Sequence, residues 1–274
     1  MIFQTHSRAI RQSIRCLTVC LAMGVLMSFS LAELPEKIVL RHIKTFPHDK
    51  GAFTQGLLWD DGFFYESAGQ YGESSLRRTE PETGRVVTRV DLPRQFFAEG
   101  LALVDDSLFQ LTWRENVCFV YDKKTFKVKT QFRYLGEGWG LTYDGKELIL
   151  SDGTNVLRFY DPKTFRLQRR LEVMDSSQRQ RPTPVRNLNE LEWIRGEIWA
   201  NVWMTTRIVR INPRTGNVIG WIEMAPFVPQ EHRGDLQNCV LNGIAFDPAT
   251  QHVYITGKYW NVMHQFQIEI PAKE

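Results

Sequence analysis

Phe97-Ala98-Glu99-Gly100-Leu101-Ala102-Leu103 carries the pattern that decides the fold. A polar residue and a glycine open a short apolar strand. A turn follows, and then a second strand, Leu108-Phe109-Gln110-Leu111. The same arrangement occurs at Gln55-Gly56-Leu57-Leu58-Trp59, Trp139-Gly140-Leu141-Thr142-Tyr143, Asn189-Glu190-Leu191-Glu192-Trp193 and Asn242-Gly243-Ile244-Ala245-Phe246. Turn signals such as Asp60-Asp61-Gly62, Asp144-Gly145 and Asp247-Pro248 come next, each leading into a second alternating strand.

Each interval holds a further hairpin, around Pro81-Glu82-Thr83-Gly84, Asp122-Lys123-Lys124-Thr125, Asp161-Pro162-Lys163-Thr164 and Asn212-Pro213-Arg214-Thr215-Gly216. Flanking strands such as Val117-Cys118-Phe119-Val120-Tyr121 alternate with period two. Four strands per interval is the content of a propeller blade. The fifth copy has only one strand beyond its second, Met263 to Ile270, and an unassigned strand, Lys37 to Phe46, precedes the first copy. The expectation is an all-β, five-bladed β-propeller closed by an N-terminal strand that completes the last blade, leaving no unpaired edge inside the ring. Two β-sandwiches would not explain the constant repeat.

The chain of 274 residues is 43% hydrophobic and 12% aromatic, too apolar for a disordered protein. Arg8, Arg11 and Arg15 precede an uncharged run from Cys16 that ends Ser30-Leu31-Ala32, before the first acid, Glu33. This reads as a secretory signal peptide over residues 1–32, with an uncleaved anchor as the alternative. Residues 33–274 form the propeller domain, and the expected location is periplasmic or secreted. The whole chain has 34 Lys and Arg against 31 Asp and Glu. The segment takes three arginines and no acid with it, so the remainder is formally neutral. Neutrality gives no case for nucleic acid or for membrane association after cleavage. Cys118 and Cys239 remain, either as a disulfide or as two thiols. A monomer is expected.

The innermost strand of a propeller blade lines the central channel, so the residue opening each repeat stands at one height. That ring is Gln55, Glu99, Trp139, Asn189 and Asn242. A purely structural position would hold one residue type. These five differ and four are polar, the mark of a site built by divergence. A second ring, at the ends of the second strands, holds Trp113, Asp152, Trp203 and Lys258. Each has a structural alternative. Trp139 could pack between blades, and Lys258 could end a solvated strand. Asn189 and Asn242 could cap turns, the reading preferred for Asn242. Glu99, beside Phe96 and Phe97, is a poor candidate for a surface acid.

Other chemistries lack their motifs. There is no His-Glu-x-x-His, Cys-x-x-Cys or Gly-x-Ser-x-Gly. The histidines are scattered without metal-ligand spacing. Gly136-Glu137-Gly138-Trp139-Gly140 is a glycine run with no helix after it, so it is no nucleotide loop.

Phe53-Thr54-Gln55-Gly56-Leu57, Phe97-Ala98-Glu99-Gly100-Leu101, Glu137-Gly138-Trp139-Gly140-Leu141, Leu188-Asn189-Glu190-Leu191-Glu192 and Leu241-Asn242-Gly243-Ile244-Ala245 together resemble the plant/bacterial-type glutaminyl-peptide cyclotransferases. The resemblance spans nearly all of residues 33–274. It implies a five-bladed propeller that converts N-terminal glutamine of peptides or proteins to pyroglutamate, with release of ammonia and without a metal or other cofactor. It implies Glu99 as catalytic acid/base. Phe53, Gln55, Phe97, Trp113, Trp139, Asn189, Trp203 and Lys258 match positions around the substrate. In that scheme Lys258, Asn189 and Gln55 join Glu99 in the chemistry, while Phe53, Phe97, Trp113, Trp139 and Trp203 bind substrate. Two alternatives stand beside it. Gln55, Glu99, Asn189 and Asn242 could hold calcium for a lactonase-like hydrolase, although one carboxylate is few for a divalent ion. A tryptophan-lined channel could also bind a peptide or sugar without catalysis.

Overall fold

Five four-stranded antiparallel sheets stand around one channel in the computed structural model, which describes residues 38–177 and 181–270. The expected signal segment, residues 1–32, lies outside the described residues. From the channel outward, blade 1 runs Thr54–Asp60, Phe63–Ala68, Ser75–Thr79 and Val86–Asp91. Blade 2 runs Ala98–Val104, Ser107–Thr112, Val117–Asp122 and Val128–Arg133. Blade 3 runs Leu141–Tyr143, Leu148–Leu150, Val156–Tyr160 and Leu167–Glu172. Blade 4 runs Leu188–Ile194, Glu197–Val202, Arg207–Ile211 and Val218–Glu223. Blade 5 runs Leu241–Asp247, His252–Gly257 and Val262–Glu269, and its outer strand is Val39–Pro47, paired antiparallel with Val262–Glu269. The five-bladed, all-β architecture is the one the repeat predicts.

Burial follows strand position. Inner strands such as Leu241–Asp247 are buried throughout, whereas the outer strands Val128–Arg133 and Leu167–Glu172 are mostly exposed. Lysine and arginine on those two strands discourage edge-to-edge pairing. The described core falls into five apolar clusters, each shared by two neighbouring blades. Phe46, Leu57, Phe64, Tyr254 and Met263, for example, join blade 5 to blade 1. Blade-to-blade packing therefore runs all the way round.

At the channel the inner strands come too close for side chains. A Cβ on Gly56 would lie 2.5 Å from the Leu101 nitrogen, one on Gly100 2.4 Å from the Leu141 nitrogen, and one on Gly140 2.0 Å from the Asn189 carbonyl oxygen. This steric limit is the reason for the repeated glycine. Blade 4 has Glu190 in that place. Its carboxylate is buried and accepts the Leu57 N–H at 3.2 Å and the Ile244 N–H at 2.9 Å, tying blade 4 to blades 1 and 5. Burial, and Glu192 beside it, push that carboxyl well above its usual range.

Two connections are more elaborate than the sequence pattern suggests. A small hairpin, Met174–Asp175 with Thr183–Pro184, precedes blade 4, and two 3-10 turns, Ala225–Phe227 and Gln230–His232, precede blade 5. They account for the wider spacing of the last repeats. Cys118 and Cys239 are both free thiols.

Replacing Gly140 by alanine forces a methyl group onto a backbone oxygen that cannot move without displacing blade 4. The expected loss is about 3 kcal/mol, the upper range for overpacking, read as a lower urea midpoint.

Candidate active site

All nine residues expected at the site line one cavity of about 420 Å³ at the end of the channel where the inner strands begin. Phe53, Gln55, Phe97, Glu99, Trp139 and Asn189 come from the starts of the inner strands or the residues just before them. Trp113, Trp203 and Lys258 come from just beyond the second strands. A larger cavity, about 520 Å³, opens at the far ends of the same inner strands. Among the described residues its charged lining groups are Glu192 and Arg195.

Register shifts explain how the ring side chains point inward. Inner and second strands slip register between Thr54 and Gly56, Ala98 and Leu101, Leu188 and Leu191, and Leu241 and Ile244. Gln55, Glu99, Asn189 and Asn242 therefore all sit in β-bulges, which twist a strand and re-aim the side chain. In blade 3 the regular strand starts only at Leu141. Trp139 is held there by its N–H to the Ser151 carbonyl at 2.9 Å, and Gly153, at φ +78°, leaves room for its ring.

Glu99 is 4% exposed. Its Oε1 accepts the Gln55 amide at 3.0 Å, and its buried Oε2 has no partner among the described residues. The Oδ1 of Asn189 is likewise buried without a partner. Asn242 donates to the Gln55 Oε1 at 3.1 Å and to the Thr54 carbonyl at 2.8 Å. It thus fixes which end of the Gln55 amide faces Glu99. Asn242 is no turn cap: it is fully buried in a strand bulge and joins blade 5 to blade 1.

Burial decides the charge balance. It pushes the Glu99 carboxyl well above the usual carboxylate range; Lys258 pulls it down, and Glu137 and Glu115 push it further up. Lys258 is also buried, and burial lowers its pKa to about 8 against the opposing effect of Glu99. Its Nζ lies 4.4 Å from the centre of the Phe53 ring, a cation–π contact in a site shielded from water.

The walls are aromatic and mostly edge-to-face. Phe53 meets Phe97 at 5.9 Å, Phe97 meets Trp113 at 5.6 Å, and Trp139 meets Trp203 at 5.5 Å. Asp152, placed beside this pocket by its ring position, turns away from it. Its carboxylate binds the Thr154 N–H and hydroxyl and lies 3.3 Å from Arg158. A carboxylate near a guanidinium and a turn has better partners than an aromatic cavity. The sequence pattern missed Gln70, Gln237 and Asn238, which also line the cavity. They stand in loops outside the repeat. Gln70 is marked only by its backbone, at φ +115°, a conformation side chains rarely adopt.

A model of the glutamine cyclotransferase family matches residues 16–269. The chain belongs to that family. A glutaminyl-peptide cyclotransferase of Arabidopsis thaliana is 40% identical over 233 residues, covering 83% of this chain and 70% of that protein. The crystal structure of Myxococcus xanthus glutaminyl cyclase matches with a TM-score of 0.77 at 35% identity, covering 87% of this chain and 100% of that one. The chain is accordingly an enzyme of the acyl-transfer class, as its five motifs imply.

The coupling between Glu99 and Lys258 has a sign that can be measured. In Lys258→Met the cation that lowers the Glu99 pKa is gone, so the Glu99 titration followed by carboxyl NMR moves to higher pH. In Glu99→Gln the carboxylate that raises Lys258 is gone, so Lys258 titrates below about 8.

Proposed function

We propose that this cavity closes the N-terminal glutamine of a peptide into pyroglutamate, releases ammonia and needs no metal, with Glu99 moving the proton. The observation that carries the reading is a single buried carboxylate, oriented by Gln55, with its second oxygen unpartnered inside an aromatic cavity.

The substrate brings its own nucleophile, so no serine or cysteine is required. The α-amine attacks the γ-carbonyl carbon; a C–N bond forms and the carbonyl oxygen takes up negative charge. Holding the two groups in near-attack geometry supplies much of the rate gain. Three tasks fall to the protein. The amine, whose ordinary pKa of about 7.7–8.0 leaves part of it as the free base near neutral pH, must shed one proton as it attacks. The oxyanion needs donors. The leaving nitrogen must gain a proton before the C–N bond to it breaks and ammonia departs.

Glu99 performs the first and third tasks in turn. Its unpartnered Oε2 accepts the amine proton and later delivers it to the leaving nitrogen. The raised pKa brings the carboxylate nearer the amine it must deprotonate, which favours transfer both ways. The oxyanion is met by Lys258, by the remaining N–H of Gln55 and by the Asn189 amide. A lysine with a pKa near 8 is a good donor at neutral pH because it is still largely protonated and poorly hydrated. Phe53, Phe97 and the three indoles pack on the glutamine side chain and exclude water, whose attack would give glutamate instead.

The test is ammonia release from a short peptide beginning with glutamine, with and without EDTA, beside Glu99→Gln. Release that survives EDTA and falls at least about 100-fold in kcat in the variant, with KM little changed, is the expected result. Abolition by EDTA would place a metal in the reaction, and near-normal turnover by Glu99→Gln would remove Glu99 from it.

Residues 1–32 are proposed to direct export and to be removed. N-terminal sequencing of the exported protein is expected to begin at or within a few residues of Glu33. A secreted protein that still carries Met1 overturns the cleavage.

A further inference from the structure

We infer that Glu137 is a positioning residue of this site: one carboxylate anchors two walls of the cavity, from two blades, through their indole N–H groups. The inference rests on the proposed function, because it concerns how that cavity is shaped and charged.

Glu137 does not line the cavity. It stands behind it, with a side chain 35% exposed. Its Oε2 accepts the Nε1–H of Trp113 at 2.8 Å and that of Trp139 at 2.9 Å. Its Oε1 accepts the Nε–H of Arg114 at 3.0 Å, and the Arg114 guanidinium stacks 3.8 Å over the Trp113 ring. Trp113 follows the second strand of blade 2 and Trp139 precedes the first strand of blade 3, so the two rings share no backbone element. One charged acceptor fixes both. Hydrogen bonds to an ionised oxygen are about twice as strong as neutral ones.

The anchor is itself held. Arg158 donates to the Leu135 and Glu137 carbonyls, Asn116 to the Gly136 carbonyl, and the Gly138 N–H to the Trp113 carbonyl at 3.2 Å. Asp152, 3.3 Å from Arg158, supports this scaffold from behind. That gives a place to the ring residue that turned away from the cavity.

Two consequences follow. Both indole N–H groups of Trp113 and Trp139 are used, so these rings offer the substrate faces and edges, and the oxyanion donors must come from elsewhere. Second, Glu137 puts a negative charge near Glu99. Burial raises the Glu137 carboxyl, but its indole and Arg114 donors outweigh this and hold it below the usual range, so it is ionised. The groups that face Glu99 electrically are Lys258, which lowers its pKa, and Glu137 and Glu115, which raise it; Tyr71 and Tyr134 lie within the same field. Removing the Glu137 charge therefore lowers the Glu99 pKa.

Two readouts test this without needing turnover, so failure of the reaction itself would be seen separately in the wild-type ammonia assay. In Glu137→Gln the near-UV circular dichroism of the indoles weakens, while the far-UV spectrum keeps its strand signal. The Glu99 carboxyl titration moves to lower pH at low ionic strength, and by less as salt screens the charge. Glu137→Asp separates the two effects. It retains the charge and shortens the reach, so the indole signal falls while Glu99 titrates near its wild-type position. If Glu137→Gln fails to fold, Glu137→Asp alone decides: an unchanged indole signal overturns the anchor. In a folded Glu137→Gln, an unchanged indole spectrum or an unmoved Glu99 titration overturns it. With a glutamine-peptide substrate the expected kinetic signature is a KM raised several-fold, with a smaller change in kcat.

Discussion

Five strands must meet around one axis, and the space there admits backbone but few side chains. The rest of the structure follows from that crowding. Gly56, Gly100 and Gly140 let neighbouring inner strands approach to distances a Cβ forbids. The strands then pass their ring residues through β-bulges, which lift Gln55, Glu99, Asn189 and Asn242 out of the regular pleat. Where blade 4 carries Glu190, the carboxylate becomes the joint, binding an N–H on each of two other blades. One steric constraint thus closes the ring and aims the side chains that meet in the cavity.

Crowding also governs the electrostatics. A carboxylate and an ammonium drawn from different blades are both taken out of water. Each is driven toward its neutral form, and each partly restores the other. The contest between burial and Lys258 over the Glu99 proton is decided by burial, since the two groups couple through space without forming a close ion pair. A close pair would have fixed Glu99 as a permanent anion and Lys258 as a permanent cation. Separation leaves both with proton affinities nearer neutrality, which suits the proton transfer proposed for Glu99.

The repeat was legible because strand alternation and glycine placement leave strong marks on a sequence. Five copies of one pattern fixed the blade count, and the two ring positions brought Glu99, Gln55, Trp139 and Asn189 together with Trp113, Trp203 and Lys258. The bulges were not legible. A one-residue bulge changes which way a side chain points without changing the pattern, so Asn242 read as a turn cap, and Asp152 read as a pocket residue because its Arg158 partner comes from the next strand. Glu137 was hidden for another reason. It sits in a glycine-rich run between repeats, and its role depends on two indoles that are adjacent only after blades 2 and 3 have packed. Gln70, Gln237 and Asn238 stand in loops, where no periodicity marks them.

Divergence at equivalent positions explains why such a site needs support from outside the ring. A symmetric scaffold supplies five similar places, but this cavity combines one acid, one cation and walls of different shape. Side chains that differ from blade to blade then need partners that the repeat itself does not provide. Asn242 compensates by orienting Gln55, and Glu190 by bridging two blades. The indoles of Trp113 and Trp139 bring N–H groups into an apolar wall, where an unpaired donor is costly. Glu137 meets that need with one acceptor oxygen and adds a charge that acts on Glu99. The network behind the wall, from Asp152 through Arg158 to Glu137, is therefore a consequence of placing aromatic walls on a ring whose regular positions have no acceptor for them.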